Sequence, residues 1–412
     1  MGPLTAAGAL PLVDSEDVAW FRDRPDGARG AAAALGRRIG LGEQRTAELV
    51  LAVAELTANV TKYAVDGSVL LRVVRNEAVA GVELIVVDSG PGMADVPGAL
   101  RDGSSTAGTL GIGLGAVGRL ADTFDIHSQP GLGTVQLARF WPHPLPPSVN
   151  GEPLVAGITR PIGGEQVCGD AWAARTDTDT DTVPSVAPPA GNGASPAPDG
   201  PVRPSWSALT GTQPFGRKAA PRQRPSTRPG IEGRSSMPVR AAVAGPGQGY
   251  LVMSCDGLGH GPLASVAAQA AVHAFRTGGA RTPEQAIEHM HRALRGTRGA
   301  AIAVARIEPD GRLLFCGVGN ITTALVTTGT RSTLLSHPGI VGHQVHQLRT
   351  YEHHLPSHGI LVMHSDGLSE RWRPVDLAGL LHHPPALIAT ALLRHAGTRR
   401  DDASAVIARR PR

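Results

Sequence analysis

The stretch SCDGLGHG, residues 254 to 261, follows the apolar run from Tyr250 to Met253 and decides the fold of the C-terminal half. Its one carboxylate, Asp256, is followed by three glycines and a histidine within five residues. Glycine adopts backbone angles that other residues resist, so the pattern predicts a strand that ends in a tight turn. The sequence therefore puts a carboxylate at the end of a strand.

Three further stretches place aspartates at the ends of predicted strands. QVCGDAW contains Asp170 after a short apolar start, LVMHSDGLSE ends a strand at Asp366, and RRDDASAVIARR begins one at Asp401 and Asp402. Isolated carboxylates that met in a core would repel one another, and divalent cations are their natural neutraliser. Carboxylate oxygens suit Mg²⁺ or Mn²⁺, and two such ions can share one water and lower its pKa for attack on phosphorus.

A second candidate site lies in the N-terminal third. In ELTANVTKYA, Glu55 and Asn59 are four residues apart on a predicted helix, so both project from one face. A carboxylate beside an amide can orient a nucleophile while the amide oxygen ligates a divalent ion. The alternative interpretation of this pair is a solvated helix face.

Glycine-rich stretches follow that helix. VVDSGPGM ends a strand at Asp88, whose carboxylate can accept hydrogen bonds from a ligand's amino group, while Gly90 and Gly92 let the backbone approach that ligand. Just before a helix start lie Gly111, Gly113 and Gly115, and GLGT follows at 131–134. Free amides and the dipole at a helix start favour a phosphate group.

Composition excludes several classes of protein. The 39 basic and 35 acidic side chains are scattered, and aromatic residues make up only 3%, so a nucleic-acid stacking platform is not expected. Three cysteines without a CxxC pair predict neither a disulfide framework nor a zinc knuckle. The same cysteine usage predicts a reducing, cytoplasmic location. No apolar run approaches the roughly 20 residues that span a bilayer, so no membrane attachment is expected.

The chain of 412 residues is long enough for two or three domains of about 100 to 200 residues. Helices followed by mostly antiparallel strands over 14–141 predict an α+β layout. A proline-rich stretch at 142–153 is interpreted as a stiff linker, and a second domain is expected over 154–412. Within it, residues 176–248 have too few large apolar residues to offset their ordering entropy and are expected to be a disordered insertion.

Residues 14–141 resemble the GHKL (Bergerat) nucleotide-binding fold, an α/β sandwich, in the branch of anti-sigma-factor serine kinases and their switch-kinase relatives. The resemblance implies that ATP binds with Mg²⁺, that Asn59 holds this ion, and that Glu55 is the base. It also implies that Asp88 binds the adenine amino group with support from Thr134. The glycines that would shape the lid over the phosphates are Gly90, Gly92, Gly111, Gly113 and Gly115. Related domains often dimerise, so a homodimer is an open expectation.

Residues 154–175 and 248–412 resemble the metal-dependent protein serine/threonine phosphatases of the stage II sporulation E (SpoIIE) branch. The resemblance implies an α-β-β-α sandwich that holds two Mn²⁺ or Mg²⁺ ions. Asp256 would bridge both ions with help from the Gly257 carbonyl, and Asp170 would join it on one ion. Asp366 and Asp401 would complete the other ion, and Asp402 ranks below Asp401 as a ligand.

Two departures from the SpoIIE pattern leave questions open. Ala173 stands where the branch commonly has a second acidic residue, and the long insertion separates Asp170 from Asp256. His260 either protonates the leaving serine oxygen or donates to backbone. The histidines of HQVHQ, YEHH and HHPP are expected in polar loops, without the paired spacing of a zinc site.

The two resemblances together imply a phosphatase fused to an ATP-binding regulatory domain in a partner-switching sigma-factor pathway. The substrate would be a phosphorylated STAS-type anti-sigma-factor antagonist, and a sigma factor or anti-sigma factor is a further possible partner. The N-terminal domain would phosphorylate the antagonist or sequester a partner. The alternative is an ATP-bound sequestering protein with weak or lost phosphatase activity, for which Mn²⁺ would not be required.

Overall fold

The computed structural model describes residues 14–22, 25–76, 79–101, 113–145, 149, 151–163, 165, 167–176 and 248–411. The insertion expected at 176–248 lies outside the described residues except for its two ends, and Gly111 also lies outside them. Thr176 is the last residue of a strand and does not belong to the insertion.

The N-terminal region forms one five-stranded antiparallel sheet in the order β1-β2-β3-β5-β4. Its strands are β1 (Asp14–Phe21), β2 (Ser68–Asn76), β3 (Val79–Val87), β4 (Thr123–Gln129) and β5 (Gly133–Phe140). Its helices are α1 (Gly27–Ile39), α2 (Glu43–Tyr63), α3 (Val96–Ala99) and α4 (Gly113–Leu120). The expected α+β layout is confirmed, and β1 is an edge strand that the sequence analysis does not predict.

Helices α1 and α2 cover one face of this sheet. The buried residues of α2 include Leu49, Val53, Leu56 and Val60, which recur at helical spacing and therefore form one apolar stripe. They pack with alternate residues of β2, such as Leu71, in one apolar cluster. The helix pair thus fixes the position of Glu55 and Asn59 relative to the sheet.

The C-terminal region contains two five-stranded sheets, ordered β15-β10-β9-β8-β7 and β12-β11-β16-β17-β6. The strands are β6 (Val155–Arg160), β7 (Asp170–Thr176), β8 (Tyr250–Gly257), β9 (Ala300–Ile307), β10 (Arg312–Val318), β11 (Thr322–Val326), β12 (Arg331–Thr333), β13 (Gly339–Ile340), β14 (Gln344–Val345), β15 (Tyr351–His354), β16 (Ile360–His364) and β17 (Ala403–Ala408). The helices are α5 (Pro262–Thr277), α6 (Pro283–Ala293), α7 (Pro374–Leu377) and α8 (Pro385–Ala396), with a 3₁₀ turn at Ala378–Leu380.

These two sheets pack face to face, and helices cover their outer faces. Tyr250, Val252, Leu361, Met363 and Val406 belong to the apolar core between the sheets. Helices α5 and α6 pack on the outer face of the first sheet, and α8 packs on β6 and β17 of the second. The predicted α-β-β-α sandwich is confirmed.

Helix α8 lies between two sheets, because the second face of the N-terminal sheet also packs against it. Ten of its 12 residues are buried, as expected for a helix that is apolar all round. One apolar cluster joins α8 residues such as Leu387 and Leu392 to the N-terminal strands. The strand residues in this cluster are Leu70, Ile85, Val87, Val135 and Leu137.

A buried ion network crosses the same interface. Arg72 Nε and Arg139 Nε each donate to one carboxylate oxygen of Glu83 at 2.7 Å. Arg72 Nη1 also donates to the carbonyl of Gly157 on β6 at 2.6 Å, and Arg139 pairs with Glu152. Burial alone would raise the pKa of Glu83, yet the two guanidinium groups hold that pKa below its usual value. The network therefore ties the N-terminal sheet to the second sheet through satisfied charges.

Two sequence expectations concern segments outside the sites. YEHH is predicted to be a polar loop, but it forms β15, because this strand pairs with β10 at the edge of the first sheet. In the described part of the chain, no helix is long and apolar enough to cross a membrane.

Candidate functional site

The register between β7 and β8 brings two of the predicted aspartates directly opposite each other. Asp170 opens β7 and pairs with Asp256 near the end of β8, and the two strands continue to pair as far as Thr176 and Tyr250. Residues alternate between the two faces of a strand, so Asp256 shares the inter-sheet face of Tyr250 and Val252. Both carboxylates therefore lie at the same end of the sandwich.

The second sheet contributes the other two aspartates at that end. His364 at the end of β16 pairs with Ala405 on β17, so Asp366 follows one strand and Asp401 precedes its neighbour. Asn320, in the turn before β11, donates Nδ2 to Asp366 Oδ2 at 2.8 Å. Asn320 is not among the residues predicted for the site, although it directly follows RLLFCGVG, a run that is typical of a strand.

Neighbouring carboxylates perturb Asp170, Asp256 and Asp366 electrostatically. Burial and the charges of Asp170, Asp366 and Asp401 raise the pKa of Asp256 to about 8. Burial and the charges of Asp402 and Asp366 raise the pKa of Asp170 to about 7, although the hydroxyls of Ser365 and Ser404 oppose this shift. Burial together with Asp401 also raises the pKa of Asp366. Negative charge is therefore concentrated at this edge beyond what the neighbouring side chains compensate.

The donor set fits divalent cations. Asp170 Oδ2 is buried and has no hydrogen-bond partner among the residues that the structure describes, so it is an acceptor that a cation would satisfy. Within the described ranges, no three histidine, cysteine, aspartate or glutamate side chains are already gathered around one point that could hold an ion. The carboxylates form a shared negative edge of hard oxygen ligands suited to Mg²⁺ or Mn²⁺.

Asp402 has a different environment from its neighbour Asp401. Its Oδ1 accepts the amide of Ile162 and its Oδ2 accepts the amide of Gly169, each at 2.7 Å. Both oxygens are thus engaged by backbone, and the side chain holds the segment that leads into Asp170. This geometry favours Asp401 over Asp402 as a ligand.

Glycines allow a close approach at this edge. A Cβ on Gly257 would lie 2.4 Å from the carbonyl oxygen of Ala264, and the Gly257 amide donates to Gly169 at 3.1 Å. Any larger residue would push the β8 turn away from α5. The glycines of the opening motif thus keep Asp256 against the segment that carries Asp170.

The structure shows the surroundings of Ala173 and His260, whose roles the sequence does not decide. Ala173 belongs to the apolar cluster beneath α5, on the face of β7 opposite to Asp170, so its lack of a carboxylate removes no charge from this edge. His260 is largely exposed, and its Nδ1 lies 3.6 Å from Glu165 Oε1.

The N-terminal site is centred on Asp88, at the end of β3. Asp88 and Thr134 exchange backbone hydrogen bonds, and Asp88 Oδ1 accepts the amide of Gly90 at 2.7 Å. Gly92 adopts φ 66°, and a Cβ there would lie 2.0 Å from the carbonyl oxygen of Gln129. Burial raises the pKa of Asp88, while the Gly90 amide opposes that shift.

Helix α2 ends beside this loop. The Ser89 amide donates to the carbonyl of Val65 at 2.8 Å, just after α2, which carries half-buried Glu55 and Asn59. Thr134 is buried, and its hydroxyl bonds that of Ser128 at 2.8 Å. Gly113 begins α4 and Gly115 lies within its first turn.

Comparisons with known proteins agree with both halves of this description. Residues 23–139 match the model of the histidine kinase-like ATPase domain. The serine/threonine-protein kinase RsbT of Bacillus subtilis (strain 168) is 37% identical over 115 residues, which cover 27% of this chain and 86% of that protein. The chain belongs to the histidine kinase-like ATPase family.

The C-terminal region matches a second family. Residues 246–411 match the model of the stage II sporulation protein E (SpoIIE). The chain thus joins a kinase-like ATPase domain to a SpoIIE-type protein serine/threonine phosphatase domain. Phosphatases of this kind use Mn²⁺ or Mg²⁺, and histidine kinase-like ATPase domains bind ATP.

Solved structures give more distant similarities. A structure described under the bacterial stressosome is 23% identical, covers 62% of this chain and 98% of that one, and has a TM-score of 0.42. The phosphatase domain of SpoIIE from Bacillus subtilis, with a fragment of its regulatory domain, is 11% identical, covers 93% of this chain and 95% of that one, and has a TM-score of 0.39.

Proposed function

We propose that the C-terminal domain hydrolyses phosphoserine or phosphothreonine on a STAS-type anti-sigma-factor antagonist at the edge formed by Asp170, Asp256, Asp366 and Asp401. The observation that carries this proposal is the register that sets Asp170 opposite Asp256, with the other two carboxylates at the ends of β16 and β17. The family resemblance of the phosphatase motifs supports the substrate class.

The side chains divide the work of holding the ions. Asp256, assisted by the Gly257 carbonyl, and Asp170 would hold one ion, and Asp366 and Asp401 would complete a second. When bound, the ions would neutralise the carboxylates and lower the pKa of the water that attacks phosphorus. Asn320 holds the Asp366 carboxylate in one orientation, and Asp402 holds the backbone before Asp170.

A cation of the chain itself is available for the substrate's phosphate. Arg298 is exposed and lies beside Gly259, which is three residues beyond Asp256. A Cβ atom added to Gly259 would lie 2.9 Å from Nη1 of Arg298. A guanidinium group matches the geometry of phosphate oxygens. Arg298 would therefore bind and orient the phosphoserine without contacting the ions.

The test is release of inorganic phosphate from a phosphorylated STAS-domain antagonist by the full-length protein. We expect release with Mn²⁺ and none with EDTA. Absence of release in Mn²⁺ from several such antagonists, by protein shown to be folded, would contradict the proposal and favour the sequestering alternative.

A second proposed activity is phosphorylation of the same antagonist by the N-terminal domain. Its support is the 37% identity to RsbT, which is named a serine/threonine-protein kinase, and the placement of Glu55 and Asn59 on α2 beside the Asp88 loop. Asn59 would hold Mg²⁺, Glu55 would act as the base, and Asp88 would bind adenine with support from Thr134. The lid glycines would be Gly90, Gly92, Gly111, Gly113 and Gly115.

Kinase activity is best measured in a variant whose phosphatase domain cannot hydrolyse the phosphorylated product. In an Asp256→Asn background, we expect transfer of labelled phosphate from ATP to the antagonist, and loss of that transfer when Glu55→Gln is added. Transfer that persists with Glu55→Gln would contradict the role of Glu55. No transfer to any antagonist would leave ATP binding as the function of this domain.

A further inference from the structure

A side chain of the phosphatase domain contacts the nucleotide site. Arg394 lies in the last turn of α8, and its Nη1 donates to the backbone carbonyl of Asp88 at 3.0 Å. Asp88 belongs to the N-terminal sheet, 306 residues away in sequence. The contact exists because α8 packs across the open face of that sheet.

The Asp88 peptide is held from several directions at once. Its carbonyl also accepts the amide of Thr134 at 3.3 Å, and its carboxylate accepts the amide of Gly90. A Cβ on Gly133 would lie 2.1 Å from the same carbonyl oxygen, so the neighbouring strand leaves little space for this peptide to rotate. Arg394 supplies the one contact in this set that comes from the phosphatase domain.

We propose that Arg394 is a positioning residue for the nucleotide site, so that α8 of the phosphatase domain supports the adenine-binding loop of the ATPase domain. The inference rests on the proposed function in one respect, namely that Asp88 accepts the adenine amino group. Arg394 acts on this group through Asp88, because it fixes the peptide from which the recognising carboxylate projects.

The charges around Asp88 agree with this role. The positive charge of Arg394 lowers the pKa of Asp88 and so opposes the effect of burial. His127 on β4 lies near the same guanidinium group, and burial together with His383 and Arg394 lowers the pKa of His127 to about 4. At neutral pH, His127 is therefore uncharged, and Arg394 favours the ionised form of Asp88 that accepts hydrogen bonds.

The contact also links the two sites along the chain. Asp401 follows the end of α8 by only a short segment, and Arg399 in that segment pairs with Asp66 at 3.2 Å. A nucleotide bound at Asp88 would thus be linked, through the Asp88 peptide and Arg394, to the element that leads to a candidate metal ligand. The phosphatase domain would in turn contribute to nucleotide affinity.

The experiment compares two triphosphates on the full-length chain by isothermal titration calorimetry with Mg²⁺. ATP offers Asp88 the 6-amino group, whereas purine riboside 5′-triphosphate is the same molecule without it. Arg394→Ala should weaken ATP binding about 10-fold, the usual scale for a hydrogen bond in which one group is charged, and leave purine riboside triphosphate within about twofold. Arg394→Lys should weaken ATP binding less.

His395→Ala is the matched control, because His395 is the next residue of α8, is largely exposed, and faces Asp376 at 3.4 Å. It should bind both triphosphates as the wild type does. If Arg394→Ala does not fold, Arg394→Lys decides, and it should weaken ATP binding about threefold and purine riboside triphosphate binding not at all.

Equal losses for both triphosphates would overturn the inference, since they would indicate a purely structural role for Arg394. Unchanged ATP affinity in Arg394→Ala would also overturn it. A wild-type chain that binds both triphosphates equally would contradict the assignment of Asp88 to adenine, and one that binds neither would contradict the proposed ATP site itself.

Discussion

Two clusters of buried charge in this molecule are built in opposite ways. At the interface between the domains, Glu83 lies between Arg72 and Arg139, and each carboxylate oxygen has a guanidinium donor. At the phosphatase edge, Asp170 and Asp256 face each other across neighbouring strands, and Asp170 Oδ2 has no partner within the described residues. The first cluster compensates itself, while the second requires a ligand from outside the chain.

The pKa directions express the same difference. Burial would raise the pKa of all three carboxyls, but the arginines hold the pKa of Glu83 below its usual value. Neighbouring aspartates instead help to raise the pKa of Asp256 to about 8. A buried charge that is paired within the chain indicates a structural role, whereas a buried carboxylate at a strand end without a cationic partner indicates a ligand-binding or catalytic site.

The strongest test of this contrast removes a carboxylate from the phosphatase edge. Asp256→Asn should reduce Mn²⁺-dependent phosphate release at least about 1000-fold, because metal ions contribute several kcal/mol to the transition state. Asp310→Asn is the control, since Asp310 is an exposed carboxyl in the turn between β9 and β10, at the far end of the same sheet. Phosphate release by Asp256→Asn at the control's rate would refute the site assignment.

The next largest effect should come from the compensated cluster. Glu83→Gln leaves Arg72 buried without its anion and leaves Arg139 with only the partly exposed Glu152, and breaking a buried pair in this way lowers the free energy of unfolding by about 3 to 5 kcal/mol. Urea denaturation would measure the loss. A change below about 1 kcal/mol would mean that the network does not hold the interface.

A smaller effect is expected at the cation beside the edge. Arg298→Ala should raise KM for the phosphorylated antagonist about 10-fold and leave kcat nearly unchanged, because it removes phosphate binding that is equal in the ground and transition states. Arg295→Ala, an exposed arginine three residues earlier, should change neither constant. If kcat falls and KM does not, Arg298 belongs to the chemical step and the assignment to substrate binding is wrong.

The smallest expected effect is a pH dependence of stability. The raised pKa values of Asp256 (about 8) and Asp170 (about 7) mean that the folded state binds these protons more tightly than the unfolded chain. Their contribution is therefore most favourable below about pH 4, the pKa of an unperturbed aspartate, and is lost as the pH rises through 7 to 8. In EDTA, the melting temperature should fall between pH 5 and 8, because the unfolded chain loses these protons at a lower pH than the folded chain does.

Comparison with Asp256→Asn isolates this contribution from those of other groups. The variant should show a weaker decline with pH, and Mn²⁺ should raise the melting temperature of the wild type more at pH 8 than at pH 6. The same decline in both proteins would place the pH dependence elsewhere in the molecule.

The ends of the phosphatase strands could be predicted because their pattern is local. An apolar run followed by Asp-Gly predicts a strand and a turn at Asp256 and Asp366, and the structure has both. The register of β7 against β8 depends on pairing between strands far apart in sequence, so only the family resemblance suggested that Asp170 and Asp256 meet.

The interface could not be predicted, although its residues carry a signal. Arg72 and Glu83 are charges of opposite sign, each flanked by apolar residues in a predicted strand, and PALIATALLRHA is largely apolar around its circumference, which is typical of a helix covered on both sides. These patterns predict that the strands and the helix are buried, but they do not predict which element packs against them. Asn320 and Arg394 escaped prediction for the same reason, since their roles depend on Asp366 and Asp88 across the fold.

The most direct test of the carboxylate edge is the number of Mn²⁺ ions bound per chain, measured by electron paramagnetic resonance of free Mn²⁺ during a titration without nucleotide. We expect about two ions in the wild type and in Asp310→Asn, and fewer than about one in Asp256→Asn. Equal binding by the wild type and Asp256→Asn, or no binding by either, would contradict the account.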